Sequence, residues 1–210
     1  GCFWVCLVIS YIFFDLLNYR FLITFKGVSA ALNLKEVQEL LSQNDIIFHP
    51  VHYKNEAEFF NHIELFPYTA KCKKGETISL TILSKNEKKN IEIQFNESSE
   101  GFLFEELWFG GYSFEMFDVS EEYIASELLS QINDIMERKM VIIEAHDMKK
   151  KCWLGDAVFD YKETGDVFGV SGYRRALQRI EKPKSLFSKI MKSKKRYEIF
   201  DWETYRLIEK

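Results

Sequence analysis

Apolar and polar residues alternate most clearly along positions 77–82 and again along positions 91–95. A period of two is typical of β-strands that bury one face and leave the other in water. The polar stretch 84–90 separates the two runs and is suited to a turn. The pattern therefore predicts a two-stranded antiparallel hairpin with one solvated polar face.

Helical periodicity marks three further segments. Asn33 stands three residues before Glu36 and precedes apolar residues at helical spacing, which is the pattern of a capping box at a helix N-terminus. A second, shorter helix is predicted over 55–63, and a long helix is predicted to begin at Asp118 or Ser120. The buried stripe of the long helix comprises Ile124, Leu128, Ile132 and Ile135.

Additional strands and one additional helix complete the predicted elements. Strands are expected at 19–25, at 46–49 where Pro50 stops the run, at 140–143 and at 152–161. The turn signal Gly110-Gly111 predicts either two strands around it or one strand after a loop. A helix is expected after Ser171, and Phe200 and Trp202 are expected to close the core. Because helices and strands are interspersed without strict alternation, we predict an α+β fold with a mixed or mainly antiparallel sheet packed with several helices.

The length of 210 residues indicates one globular domain, which we place at 18–210. It follows an apolar segment, 1–17, that is shorter than the roughly 20 residues of a membrane-spanning helix. Three interpretations of this segment stay open: the end of a membrane anchor with Arg20 and Lys26 on the cytoplasmic side, a segment outside the native protein, or a buried element. The first would make the chain a membrane-anchored cytoplasmic domain.

Charge is distributed unevenly along the chain, although the formal net charge is only −4. Positions 97–147 carry thirteen acidic and two basic residues, whereas positions 173–196 carry ten basic and one acidic residue. The acidic total argues against a general nucleic-acid-binding protein. The acidic window is also rich in aromatic residues, so it is suited to binding a basic protein. Candidate partner-binding residues are Glu105, Glu106, Trp108, Tyr112, Glu115, Asp118, Glu121 and Glu122.

Reactive residue types do not form a recognisable catalytic or cofactor motif. The four cysteines include no Cys-x-x-Cys pair, which fits a reducing compartment and predicts a cytoplasmic protein. His49, His52 and His62 lie close in sequence, but Pro50 separates the first two and no cysteine joins them, so we predict no metal site. We likewise predict no cofactor and no catalytic residue.

A small set of acidic residues supports an alternative function. Glu144, Asp147, Asp160 and Lys162 resemble the pattern of PD-(D/E)xK nucleases. That resemblance implies carboxylates that hold Mg²⁺ and a lysine that polarises the attacking water. The alternative hypothesis is therefore a Mg²⁺-dependent nuclease.

A different resemblance rests on the stretch FEELWFGGYSFEMFDVSEEY at 104–123 and on the ending Phe200-Asp201-Trp202. In overall character the chain resembles the soluble immunity proteins of bacterial toxin competition systems, which are small, acidic and aromatic-rich. The resemblance implies a non-enzymatic protein that binds and neutralises one cognate toxin, often a basic nuclease. It identifies no individual residue, so the partner-binding residues rest on the charge pattern alone.

Overall fold

The computed structural model describes residues 32–65, 72–114, 121–149, 151–160 and 194–209. Within these ranges the chain forms three helices and nine strands in two antiparallel sheets, which confirms the α+β prediction. The apolar segment 1–17, the predicted strand at 19–25 and the helix predicted after Ser171 lie outside the described residues. Of the helices described, none is both long enough and apolar enough to cross a membrane.

The helices are α1 (Leu34–Gln43), α2 (Glu56–His62) and α3 (Glu121–Met136). The five-stranded sheet contains, in spatial order, β1 (His49–Tyr53), β2 (Thr77–Ile82), β3 (Ile91–Ser98), β4 (Gly101–Phe109) and β5 (Tyr112–Phe114). The four-stranded sheet contains β6 (Met140–Asp147), β7 (Cys152–Asp160), β8 (Lys195–Phe200) and β9 (Tyr205–Glu209). Its spatial order is β7-β6-β8-β9.

The predicted helix start at α1 is confirmed in atomic detail. The Asn33 side chain accepts a hydrogen bond from the Glu36 backbone N–H at 3.1 Å, and the Glu36 carboxylate accepts one from the Asn33 N–H at 2.8 Å. This reciprocal pair satisfies two donors that the first helical turn leaves unpaired. The prediction that Pro50 ends a strand is wrong, because Pro50 lies inside β1, an edge strand of the sheet as described. An edge strand tolerates proline because its outward N–H groups have no ladder partner.

The main hydrophobic core lies between the two sheets and the helices α1 and α3. Alternate residues of β2, β3 and β4 supply one wall, and Ile142 of β6 and Phe200 of β8 supply the other. The rings of Phe109 and Phe200 meet edge to face at 5.1 Å, which joins the two sheets directly. Leu128 and Ile132 of α3 are fully buried in this core, as predicted from the helical spacing of the apolar residues.

The polar face of the β2–β3 hairpin is buried rather than solvated, which corrects the sequence-based expectation. Six side chains on this face are no more than 6% exposed: Thr77, Ser79, Thr81, Glu92, Gln94 and Asn96. Helix α2 packs over them and contributes Glu56, which accepts hydrogen bonds from the Gln94 and Asn96 amides at 3.0 and 2.9 Å. The polar groups are buried because they satisfy one another, which offsets their desolvation.

Candidate functional site

A cluster of charged side chains lies where one face of the four-stranded sheet leaves the hydrophobic core. The register pairs Glu144 of β6 with Glu198 of β8, and two positions further along it pairs His146 with Arg196. Side chains two apart on a strand share a face, so these four side chains lie together. They stand just beyond Ile142, which is on the same face of β6 and enters the core. On this face of β6, a side chain that packs in the hydrophobic core is therefore followed directly by charged side chains.

Lys89, from the loop between β2 and β3, is the centre of this cluster. Its Nζ lies 2.7 Å from Glu198 Oε2 and 3.1 Å from both Glu144 Oε2 and Glu64 Oε2, although its side chain is only 8% exposed. The Phe200 ring centroid is 5.7 Å from the same nitrogen. Burial opposes the charged form, but the three carboxylates outweigh burial and raise the pKa of Lys89 above its usual range. The ammonium is therefore held charged inside the protein.

Glu144 is fully buried and nevertheless remains ionised. Burial by itself would raise the pKa of this carboxyl, but Lys89, His146 and the backbone N–H of Gly111 together lower it below its usual value. The Gly111 N–H donates to Glu144 Oε1. The neighbouring Gly110 has φ +61°, and a Cβ there would lie 2.6 Å from Phe200 Cζ. The Gly-Gly turn is thus needed for the backbone to approach both the ring and the carboxylate.

Lys89, Arg196 and Glu198 of this cluster line an open cleft of about 270 Å³, together with Glu64. Arg196 Nη2 lies 2.8 Å from Glu198 Oε1 and 3.2 Å from Glu64 Oε2, so Glu64 is shared between two cations. Tyr205 and Leu207 of β9 line the cleft, and burial together with the charge of Glu198 raises the pKa of Tyr205 to about 12. The side chain of Glu64 is about half exposed and marks the mouth of the cleft.

Two residues that line the cleft and one buried histidine bring possible metal ligands together. One carboxylate oxygen from each of Glu64 and Glu198 and one ring nitrogen of His146 lie within 4.8 Å of one another. The Nε2 atom of His146 is buried and has no hydrogen-bond partner among the described residues. Glu144 Oε2 lies 3.5 Å from the same nitrogen. A buried imidazole nitrogen without a hydrogen bond carries a desolvation cost that a ligand would relieve.

The sequence analysis did not find this cluster, because its members come from distant parts of the chain. Lys89 and Glu144, for example, are 55 positions apart. Some signal was present: Glu144 and Glu198 each interrupt an apolar run that forms a buried strand. A charged residue in such a run is either paired or functional, but the sequence does not say with which residue it pairs.

The nuclease constellation does not assemble. In the antiparallel pair of β6 and β7, Asp147 stands opposite Cys152, whereas Asp160 stands opposite Met140 at the other end of β6. Seven residues of extended strand separate the two carboxylate positions by roughly 23 Å. Lys162 lies outside the described residues. Carboxylates that share a magnesium ion must lie within a few ångströms of it, so the sequence resemblance to PD-(D/E)xK nucleases is not supported by the fold.

The histidines considered for zinc are also separated. His49 and His52 are both exposed on β1, and an odd spacing directs their side chains to opposite faces of the strand. His62 instead lies at the end of α2, with Nε2 3.5 Å from Glu92 Oε1. The hydrogen bond and charge of Glu92 raise the pKa of His62 despite partial burial. The side chains of these three histidines therefore do not converge on one point.

The predicted partner-binding residues are distributed over different environments. Trp108 is only 3% exposed, and its Nε1 donates to Gln94 Oε1 at 2.9 Å, so it belongs to the core and the expectation of an exposed anchor is wrong. Tyr112 is half-buried against the main core, with its ring 5.0 Å from that of Phe114. Glu105 is exposed and Glu106 is half-buried, and both lie on β4.

The remaining predicted residues are less fully described. Glu115 and Asp118 lie outside the described residues. Glu121 and Glu122 are the first two residues of α3, and the structure does not describe their side chains.

The acidic window 97–147 does not form one continuous surface. Glu144 and Asp147 are buried on β6, and the exposed cation of Lys139 pairs with acidic residues of α3 and its C-terminal turn. The basic window 173–196 lies mostly outside the described residues. Of its described members, Lys194 pairs with Glu209 at 2.9 Å and Arg196 contacts the cleft carboxylates. The charges of the acidic window 97–147 and of the basic window 173–196 are therefore partly neutralised by ion pairs among the described residues.

An acidic patch nevertheless remains at one end of the five-stranded sheet, where β2 begins, β3 ends and β4 begins. We call it the acidic end. Of its carboxylates, Glu76, Glu97 and Glu100 lie at the strand ends themselves, and Glu105 and Glu106 lie further along β4. Backbone and side-chain hydrogen bonds join the first two of these residues directly. Lys73 contacts Glu105, and Lys74 is exposed nearby in sequence, so acidic groups outnumber basic ones here by five to two.

Comparison with known proteins adds no assignment. No protein-family model matches the chain, and no curated protein or solved structure is significantly similar to it.

Proposed function

We propose that this chain is a non-enzymatic protein-binding domain that recognises a basic protein through the acidic end of its five-stranded sheet. The observation that supports the proposal is the grouping of Glu76, Glu97 and Glu100 at adjacent strand ends, with Glu105 and Glu106 further along β4. Phe102 and Phe104 lie on the same end of β4 and are half-buried, so apolar surface borders the charges. Interfaces of this kind combine charge complementarity with aromatic contact area.

Electrostatic attraction at such a patch acts mainly on the rate of association. Exposed charges of one sign raise the encounter rate with an oppositely charged partner, and salt screens them over about 8–10 Å. Glu97 and Glu100 are both exposed at the turn between β3 and β4. Rim charges of this type change the association rate more than the dissociation rate.

The specific form of the proposal is an immunity protein that neutralises a basic toxin in the cytoplasm. Support for it comes from the acidic, aromatic-bordered end of the sheet and from Cys72, which is a half-buried free thiol. A free thiol is compatible with a reducing compartment. In this proposal the domain acts by covering the partner's basic surface and not by chemistry of its own.

The experiment compares two charge reversals at opposite ends of the same strands. Glu100 lies in the β3–β4 turn at the acidic end, and Glu87 is an exposed residue in the β2–β3 turn at the other end. The wild-type chain is first used to capture its partner from the native cells. Association of the purified partner with wild type, Glu100→Lys and Glu87→Lys is then measured at low and high salt.

We expect Glu100→Lys to slow association roughly three- to tenfold at low salt, with little change at high salt. Glu87→Lys, with the same change in net charge, should stay within about twofold of wild type. Equal association rates for the two variants would refute the acidic end as the binding surface. Capture of an acidic partner, or of no partner, would count against the function itself.

A further inference from the structure

The cleft beside Lys89 carries more negative than positive charge. Glu64, Glu144 and Glu198 contact Lys89 or Arg196, and together these groups leave one carboxylate in excess. Asp156 lies opposite Glu144 on the neighbouring strand β7, outside the residues that line the cleft. Burial and the charge of Glu144 raise the pKa of Asp156 to about 6, which leaves it mostly ionised at neutral pH. Lys89 and Arg196 therefore leave one carboxylate charge of the cluster uncompensated, with the carboxylate of Asp156 on the next strand.

His146 supplies a ring-nitrogen donor at the same place. Its Nε2 is buried, its side chain is more than nine-tenths buried, and it lacks a hydrogen-bond partner among the described residues. One of its ring nitrogens lies within 4.8 Å of carboxylate oxygens of Glu64 and Glu198. A buried imidazole nitrogen beside two carboxylates, in a cluster with excess negative charge, has the chemistry of a cation site.

We propose that the cleft binds a divalent transition-metal cation through Glu64, His146 and Glu198. One imidazole nitrogen and two carboxylate oxygens form a mixed donor set that suits Zn²⁺ and similar first-row ions. Mg²⁺ and Ca²⁺ prefer oxygen-only sites and gain nothing from the imidazole. Three protein ligands, of which Glu64 and Glu198 line the open cleft, leave at least one coordination position for water or another ligand.

The three ligand atoms must move closer for the metal to bind. Ligands of a tetrahedral zinc ion lie about 3.4 Å apart, given bonds of roughly 2.0–2.2 Å, so a separation of up to 4.8 Å has to contract. Glu64 has the freedom to do this, because its side chain is about half exposed at the mouth of the cleft. His146 and Glu198 are held by neighbouring strands and provide the rigid part of the site.

Lys89 competes with the metal for the carboxylates of Glu64 and Glu198. Its ammonium lies 2.7 Å from Glu198 Oε2 and 3.1 Å from Glu64 Oε2, so it neutralises the same carboxylates that the cation uses. Two contacts of Lys89 do not involve the proposed ligands: Glu144 Oε2 at 3.1 Å and the Phe200 ring centroid at 5.7 Å. The lysine thus stabilises the cleft without metal and lowers the affinity for it.

Calorimetric titration of the full chain with Zn²⁺ tests the site. Wild type, Glu64→Gln and the control Glu203→Gln are first treated with chelator and compared by circular dichroism for an unchanged fold. Glu203 is an ion-paired carboxylate outside the cleft lining and the donor set. We expect one Zn²⁺ per chain in wild type and control, with binding at least about tenfold weaker in Glu64→Gln. Mg²⁺ should give no comparable heat.

Lys89→Met separates a metal site from a plain ion-pair cluster. Without the competing ammonium, Zn²⁺ should bind this variant at least about tenfold more tightly than wild type, or restore its fold if it is unfolded without metal. A plain ion-pair cluster predicts no zinc-dependent recovery. The proposal is overturned if wild type shows no saturable zinc binding, if Glu64→Gln binds as tightly as wild type, or if Mg²⁺ replaces Zn²⁺ equally well.

Discussion

Replacement of Lys89 by methionine removes the cation that three carboxylates share inside the protein. Methionine keeps much of the lysine volume, so the packing of the aliphatic stem against Phe200 is largely retained. Glu144 and Glu198 stay buried, at 0% and 2% exposed, without their principal counter-charge. Removing one partner of a buried ion pair costs about 3–5 kcal/mol, because the remaining charge is desolvated and unpaired. We expect Lys89→Met to lose at least this much stability at pH 7.

The stability of Lys89→Met should change with pH in the opposite direction to that of wild type. In wild type the pKa of Glu144 and that of Glu64 are lowered, so these groups stabilise the fold above the unfolded pKa of about 4.3 and lose that effect as the pH falls through their folded values. In Lys89→Met, burial without the ammonium raises the pKa of Glu144 instead. The folded variant then binds more protons than the unfolded chain, and its stability increases as the pH falls from 7 towards 5.

Urea unfolding followed by tryptophan fluorescence, measured without added metal at several pH values, checks both the magnitude and the sign. The control is Lys85→Met, because Lys85 forms an exposed pair with Glu203 that should contribute no more than about 1 kcal/mol. A Lys89→Met protein within about 1 kcal/mol of wild type at pH 7, or one that does not gain stability on acidification, would refute the assigned role of the lysine.

Two further predictions concern a turn and a histidine. Gly110→Ala should destabilise the fold by more than Gly101→Ala, because both positions have positive φ but only at Gly110 would a Cβ collide with Phe200, at 2.6 Å. Thermal unfolding of the two variants measures the difference. Equal losses of stability would show that backbone conformation alone matters at Gly110. The pKa of His62 is raised by Glu92, so its contribution to stability is present below the unfolded pKa of about 6.5 and disappears as the pH rises through the folded value. Because His62 is half-exposed, it should contribute less than about 1 kcal/mol to the free energy of unfolding. His62→Gln should remove this pH dependence of the free energy of unfolding between pH 5.5 and 8. An unchanged pH dependence would contradict the pairing of His62 with Glu92.

Local patterns were sufficient to predict most elements of this fold. The capping box of α1, the alternation in β2 and β3, the Gly110-Gly111 turn and the helical stripe of α3 each depend on neighbours within a few residues. Such signals arise from backbone geometry and side-chain period, which the sequence carries directly. The prediction for Pro50 failed because the effect of a proline depends on whether its strand lies at an edge, and that is a property of the whole sheet.

The polar face of the hairpin shows where local reasoning ends. Alternation correctly predicted that Ser79 and Glu92 share a face, but the pattern does not say whether water or another element covers that face. Helix α2 covers it, and hydrogen bonds among the polar side chains make the burial favourable. The prediction for Trp108 failed for the same reason, because its indole N–H completes this buried network.

The charged cleft depended entirely on the tertiary structure. The sequence by itself determined the α+β class, the main helices and strands, and the presence of acidic residues in apolar runs such as the one containing Glu144. Only the fold decided that Lys89 and Glu64 join this residue, and that Asp147 and Asp160 stand at opposite ends of a strand pair. The physical reason is that electrostatic interactions depend on distance and burial in space, and residues far apart in sequence acquire both only when the chain folds.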